Sequence, residues 1–151
     1  MQPTPQLTEP TPTYSSGKLE LILLPKGEVE ELWPVLLPFI ERAVPRSCGR
    51  VEPEALKEGA KRGQYIIGVV GAPGQGVRAV FAMQSLDFEK KRILSVFLYS
   101  GERRRAMHLF PIVEQLARDQ GFQEVQISGP RAWGRLFPDF KEAFTVYTKE
   151  V

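Results

Sequence analysis

Residues 92–110 read RILSVFLYSGERRRAMHLF, and the order of events inside them decides the fold. Residues 92–99 are rich in β-branched, aromatic and aliphatic side chains and predict a strand. Gly101 follows, then the basic run Arg103, Arg104 and Arg105 leads into an amphipathic segment. There Leu109, Phe110, Val113, Leu116 and Ala117 share one helical face, and Gly121 ends the helix. Pro111 limits how far back this helix extends, since proline is tolerated only near a first turn.

Working outward, strands and helices alternate on both sides. Residues 64–70 and 77–86 are two more strand-like runs, flanking the turn-rich Gly71-Ala72-Pro73-Gly74-Gln75-Gly76. The charged Glu89-Lys90-Lys91-Arg92 closes the next hairpin as a solvated turn. Upstream, residues 18–24 predict a strand. Residues 30–43 follow with Leu32, Val35, Leu36, Phe39, Ile40 and Ala43 at helical spacing. Pro34 and Pro38 predict that this helix starts late or bends. Pro53 suits the first turn of a second helix that runs to about Arg62 and ends at Gly63. Downstream, residues 124–128 predict a short strand, 132–136 a helical turn and 144–149 a closing strand. The expected order is β-α-α-β-β-β-α-β-α-β, a single α/β domain with a mixed sheet over residues 18–151. Residues 1–17 interleave Pro3, Pro5, Pro10 and Pro12 with Thr, Gln and Ser and predict an extended, partly polyproline-like arm. Such an arm is either a disordered terminus or a segment held by a neighbouring subunit.

Composition narrows the function classes. The chain has 151 residues, 42% hydrophobic and 25% charged, as expected of one soluble globular domain. A net charge of +2 is too small to require nucleic acid or an anionic membrane. The basic residues Lys90, Lys91, Arg92, Arg103, Arg104, Arg105, Arg131 and Arg135 fall at opposite ends of one predicted strand, with no interleaved aromatics for base stacking. The single Cys48 excludes an intramolecular disulfide. With one histidine, His108, it also leaves no soft-metal ligand set, so no metal is expected. No apolar run approaches the ~20 residues of a membrane span, and no signal peptide is read, so the expected location is the cytoplasm.

The order of elements resembles the GNAT N-acetyltransferase fold over residues 18–151, with Gly121-Phe122 closing the long helix before a strand, a short turn and a last strand. A narrower resemblance is to small acetyltransferase-like proteins of tailed bacteriophages. It lies in Gly129-Pro130-Arg131-Ala132-Trp133 followed by Leu136-Phe137-Pro138-Asp139-Phe140, with Ala132 where those proteins carry glycine. Some of those proteins are internal virion proteins. The resemblance therefore implies a virion component or virion-associated protein, in the virion or the host cytoplasm, whose protein partners contact the arm. Trp133, Phe137 and Arg131 are the interaction candidates, although Trp133, Leu136 and Phe137 are alternatively core beneath the sheet.

The same resemblance implies an acetyl-CoA site and allows it to be checked against chemistry. The family holds a pyrophosphate on consecutive amides at a helix N-terminus, where glycines let the backbone come close. The corresponding stretch makes Gly101, Arg103, Arg104, Arg105 and Ala106 the cofactor-binding candidates. Ala106 and His108 occupy the two glycine-rich positions, and the His108 side chain would crowd the phosphates. Three arginines could still hold an anion through their side chains, or form a solvated basic loop. Acyl transfer also needs a general base and an acid. The family's acid, a tyrosine, maps onto Arg135 or Leu136, which leaves Tyr99 and Tyr147 as substitutes. Glu102 is a candidate base, but the neighbouring arginines should hold it ionised. Cys48, between Arg46 and Arg50, has no second cysteine, and Ser128-Gly129 lacks the elbow of a serine hydrolase. Two expectations result: an inactive protein with no cofactor, or an active N-acetyltransferase that uses acetyl-CoA.

Overall fold

A computed structural model describes residues 13–17, 19–72 and 74–151. Its longest strands, β4 (Val77–Asp87) and β5 (Arg92–Ser100), pair antiparallel at the centre of a sheet ordered β1-β2-β3-β4-β5-β6. The other strands are β1 (Thr13–Ser16), β2 (Leu19–Leu23), β3 (Ile66–Gly71) and β6 (Glu124–Ile127). Each neighbour pair is antiparallel except β5 and β6, which a helical crossover makes parallel.

Helices cover both faces, so the central strands are buried on each side instead of alternating with water. Phe81, Met83, Leu94 and Val96 face α3 (Arg103–Asp119) and its Leu109, Phe110, Val113 and Leu116. Val80, Ala82 and Leu98 face α1 (Val29–Ala43) and α2 (Pro53–Lys61) through Leu36, Ile40, Leu56 and Ala60. The alternation of Val80, Phe81, Ala82 and Met83 between the two clusters is the period of two of a strand. A short helix, α4 (Trp133–Leu136), closes the end of the sheet beside α3.

Four expectations change. Thr13–Ser16, assigned above to the arm, form an edge strand paired with Ile22 through Leu19; residues 1–12 of the arm lie outside the described residues. The first helix does not start late: α1 runs from Val29 through both Pro34 and Pro38. Both prolines are exposed, while Val29, Trp33, Leu36 and Ile40 bind the opposite face to the sheet. α3 likewise begins at Arg103, ahead of Pro111, because Ala106, Leu109 and Phe110 anchor its first turns in the core. Finally, no strand follows α4 among the described residues. The expected closing strand at 144–149 is exposed chain. Its apolar positions alternate as in a strand, but alternation says which residues share a face and not which edge they meet. The observed order is therefore β-β-α-α-β-β-β-α-β-α.

Among the described residues, no helix is long and apolar enough to cross a membrane.

Candidate functional site

The site forms where β5 and β6 part. They run in register from Ile93 opposite Glu124 to Val96 opposite Ile127, and the Ser128 amide then donates to the Val96 carbonyl at 3.0 Å. Beyond this point β5 continues to Ser100 without β6. A register shift against β4 explains the parting: Ala82 pairs with Leu98 and Met83 with Val96, which leaves Phe97 with no partner on β4. Such a bulge bends its strand and strengthens the local twist.

Two cavities flank the parted strands. The smaller is lined by Tyr99 and Gly101 of the β5 end, Ala106 and Phe110 of α3, Trp133, Leu136 and Phe137 of the α4 region, and Arg46. The larger is an open cleft, lined in part by Arg46, Cys48, Arg50 and Glu52 from the α1–α2 connection and by Gln84, Phe97 and Gln126 from the sheet. Arg46 is common to both. It lies in a 3-10 turn (Val44–Ser47), and its guanidinium donates to the Tyr99 carbonyl at 3.3 Å, fastening that connection to β5. Cys48, which ends the turn, has a left-handed backbone (φ 55), a conformation uncommon for a residue with a side chain.

The smaller cavity has a rigid wall. The Tyr99 hydroxyl donates to the Glu102 carbonyl at 2.7 Å, and its ring packs on Phe81 with centroids 4.9 Å apart. Phe110 packs on Phe137 (4.5 Å) and Phe140 (5.7 Å). Gly101 has no room for a side chain, since a Cβ there would lie 2.7 Å from the Ala79 Cβ and from the Tyr99 hydroxyl. Gly129 is similarly overlain by the Trp133 indole, 2.5 Å from where a Cβ would be.

At the mouth stands the start of α3. Glu102 is its N-cap residue in extended conformation, makes no side-chain cap bond, and accepts the first helical bond from the Ala106 amide at 3.4 Å. The amides ahead of Ala106 have no acceptor within the helix, and the helix dipole gives them a partial positive charge. The three arginines therefore belong to the first helical turn and not to a loop. Arg104 is exposed, and the side chains of Arg103 and Arg105 lie outside what the structure describes. Ala106 is buried with its side chain toward the cavity, whereas His108 is exposed in the second turn.

The structure thus brings Tyr99, Gly101, Ala106, Trp133 and Phe137 together, with Glu102 adjoining. Tyr147 does not join them: it is 90% exposed in the segment after α4. Phe137 is 6% exposed and belongs to the core under α3, which for this residue is the core alternative given above and not an exposed docking group. Trp133 is half-buried on the cavity wall and Arg131 is exposed on the turn before α4. Sequence reasoning did not assign Arg46 or Phe110 to the site. Nothing local marks Arg46, whose partner lies 53 residues away.

No family model and no curated protein matches this chain. Solved structures do. An aminoglycoside acetyltransferase from an uncultured soil metagenomic sample, in complex with sisomicin, superposes with a TM-score of 0.65 at 13% identity, covering 89% of this chain and 97% of that one. A ribosomal-protein-alanine N-acetyltransferase from Brucella melitensis biovar Abortus 2308 gives 0.61 at 14% identity, covering 88% and 99%. A GNAT family acetyltransferase from Staphylococcus aureus gives 0.60 at 10% identity, covering 89% and 100%. At these identities the likeness concerns architecture: the chain has the GNAT acetyltransferase fold.

Proposed function

We propose that this chain uses the acetyltransferase fold for protein contact and not for acyl transfer, as a component of a tailed-bacteriophage virion or a protein associated with one. The observation that carries the non-catalytic part is the engagement of Tyr99. Acyl transfer from a thioester needs a group to protonate the departing thiolate. Tyr99 is the hydroxyl-bearing residue on the smaller cavity's wall, and it donates to the Glu102 carbonyl. The Arg46 guanidinium in the same wall is bonded to a main-chain carbonyl, and Phe110, Trp133, Leu136 and Phe137 complete an apolar lining.

The mouth also suits acetyl-CoA poorly. Glycine-rich backbone would let a pyrophosphate approach the α3 amides, but here side chains occupy each position from Glu102 to His108. The virion part rests on the resemblance of Gly129–Trp133 and Leu136–Phe140 to phage proteins. Calorimetric titration with acetyl-CoA is the test: no binding up to millimolar ligand is expected, and micromolar binding would overturn the reading. Recovery of the chain at fixed stoichiometry in purified particles would support its virion part.

One observation favours a second reading, an acetyl-CoA-dependent N-acetyltransferase with a non-standard pyrophosphate loop. The α3 N-terminus, where Glu102 makes no side-chain cap bond and Arg104 is exposed, adjoins the smaller cavity. A helix start of this kind attracts anions without glycine. Under that reading Arg104→Glu would abolish the binding that the titration detects.

A further inference from the structure

The floor of the larger cleft is polar, although β4 and β5 beneath it are the longest strands of the sheet. Gln84 of β4 lies opposite Ser95 of β5, and Ser95 lies opposite Gln126 of β6, so the three form one row across three strands. Neighbouring members of such a row stand about 4.8 Å apart. Their strand neighbours Met83, Leu94, Val96, Val125 and Ile127 belong to the α3 side. The row therefore faces the other way, into the cleft that all three residues line. Ser95 is 2% exposed, and its hydroxyl has no hydrogen-bond partner among the described residues. A buried hydroxyl left unpaired is costly, so the position is one that a group entering the cleft would complete. The half-buried Gln84 and Gln126 side chains also make no bond among the described residues.

We propose that this cleft binds a sugar acid, a pyranose that carries a carboxylate. A serine hydroxyl and a glutamine amide each donate and accept. Sugar hydroxyls do the same, so a row of three such side chains matches a row of hydroxyls without demanding a fixed donor pattern. Beside the row, the Phe97 ring lines the cleft and packs on Tyr65 with centroids 5.3 Å apart. These rings offer an apolar surface to the C–H face of a pyranose.

Charge at the rim selects the acid. Among the described residues, the charged side chains lining the cleft are Arg46, Arg50 and Glu52. Two cations against one anion favour a carboxylate and oppose an amine. Arg46 is held by its bond to the Tyr99 carbonyl. Arg50 is exposed and its side chain makes no bond among the described residues, so its guanidinium is the one that meets the carboxylate. The cleft shares Arg46 alone with the smaller cavity. Sugar binding and acetyl-CoA binding are thus separate properties, and a titration with one can fail without the other.

NMR titration of the full chain with D-glucuronate, D-glucose, D-glucosamine and acetate tests it. Saturable binding is expected for glucuronate, binding about tenfold weaker for glucose, as befits loss of one charge-assisted hydrogen bond, and none for glucosamine. No saturation by glucuronate overturns the proposal. So does acetate binding as tightly as glucuronate, which would mean an anion on arginine only. Arg50→Gln should bring glucuronate to the level of glucose and leave glucose unchanged. Ser95→Ala should weaken both sugars about fivefold, the value of one hydrogen bond, with an unchanged circular dichroism spectrum because no protein contact of the hydroxyl is lost. Wild-type affinity in both variants overturns the site.

Discussion

The Tyr99 hydroxyl donates to the main-chain carbonyl of Glu102 at 2.7 Å, tying the end of β5 to the residue that starts α3. Strand and helix are thus joined across the two residues between them by a buried side chain as well as by backbone. Tyr99→Phe keeps the ring on Phe81 and removes the tie. A loss of about 1 kcal/mol in urea unfolding is expected, the usual net value of one hydrogen bond. The cost stays modest because the Glu102 carbonyl retains the Ala106 amide as donor. An unchanged midpoint would show that the bond contributes no stability.

Gly101 is required for space. A methyl group there would press to 2.7 Å on the Ala79 Cβ and on the Tyr99 hydroxyl, closer than real carbon contacts. Gly101→Ala should therefore cost about 1–3 kcal/mol, the range for overpacked sites, and should lower the melting temperature more than Tyr99→Phe does. Equal melting temperatures for wild type and Gly101→Ala would contradict this.

Gly129 supports the indole of Trp133. A Cβ at Gly129 would stand 2.5 and 2.6 Å from two ring carbons, so Gly129→Ala must displace the ring from the wall of the smaller cavity. Fluorescence separates it from the buried Trp33, which is 5% exposed and lies in the other core cluster. The expected result is a red shift in Gly129→Ala that disappears when Trp133 is also changed to Phe. A shift that survives that change would place the disturbance elsewhere.

Alkaline pH should act through Tyr14. Burial, then the charge of Asp119 at the end of α3, hold its phenol above the ordinary tyrosine range, partly opposed by a hydrogen bond from Gln120. A folded pKa above the unfolded one means that the fold favours the protonated phenol. This contribution is complete below the ordinary value of about 10 and is lost as pH rises through the folded value. Wild type should therefore lose more stability than Tyr14→Phe between about pH 9 and about pH 11, measured as urea midpoints. Parallel loss in both proteins would remove Tyr14 as the cause.

The sheet-facing stripe of α3, Leu109, Phe110, Val113, Leu116 and Ala117, was legible because helical spacing is written in neighbouring residues. So were the hairpin through Gly71–Gly76 and the strand at 92–99. The prolines misled in both long helices. Pro34, Pro38 and Pro111 each lack one amide, but buried residues on the opposite face hold those turns regardless. Thr13–Ser16 looked like arm because four prolines precede them, and only their pairing with β2 reveals a strand. At the candidate site, Tyr99, Gly101 and Ala106 were named through the family resemblance, whereas Arg46 reaches Tyr99 from a loop 53 residues away.

Sequence by itself determined the kinds of element, most of their order, and which side chains share a face, since these depend on residues within a turn or two of one another. Tertiary structure alone decided where α3 begins, that the Tyr99 hydroxyl is engaged, and that β6 is the last strand of the sheet among the described residues. Each of those is set by contacts between distant parts of the chain, whose free energy outweighs local preference and leaves no mark in local spacing.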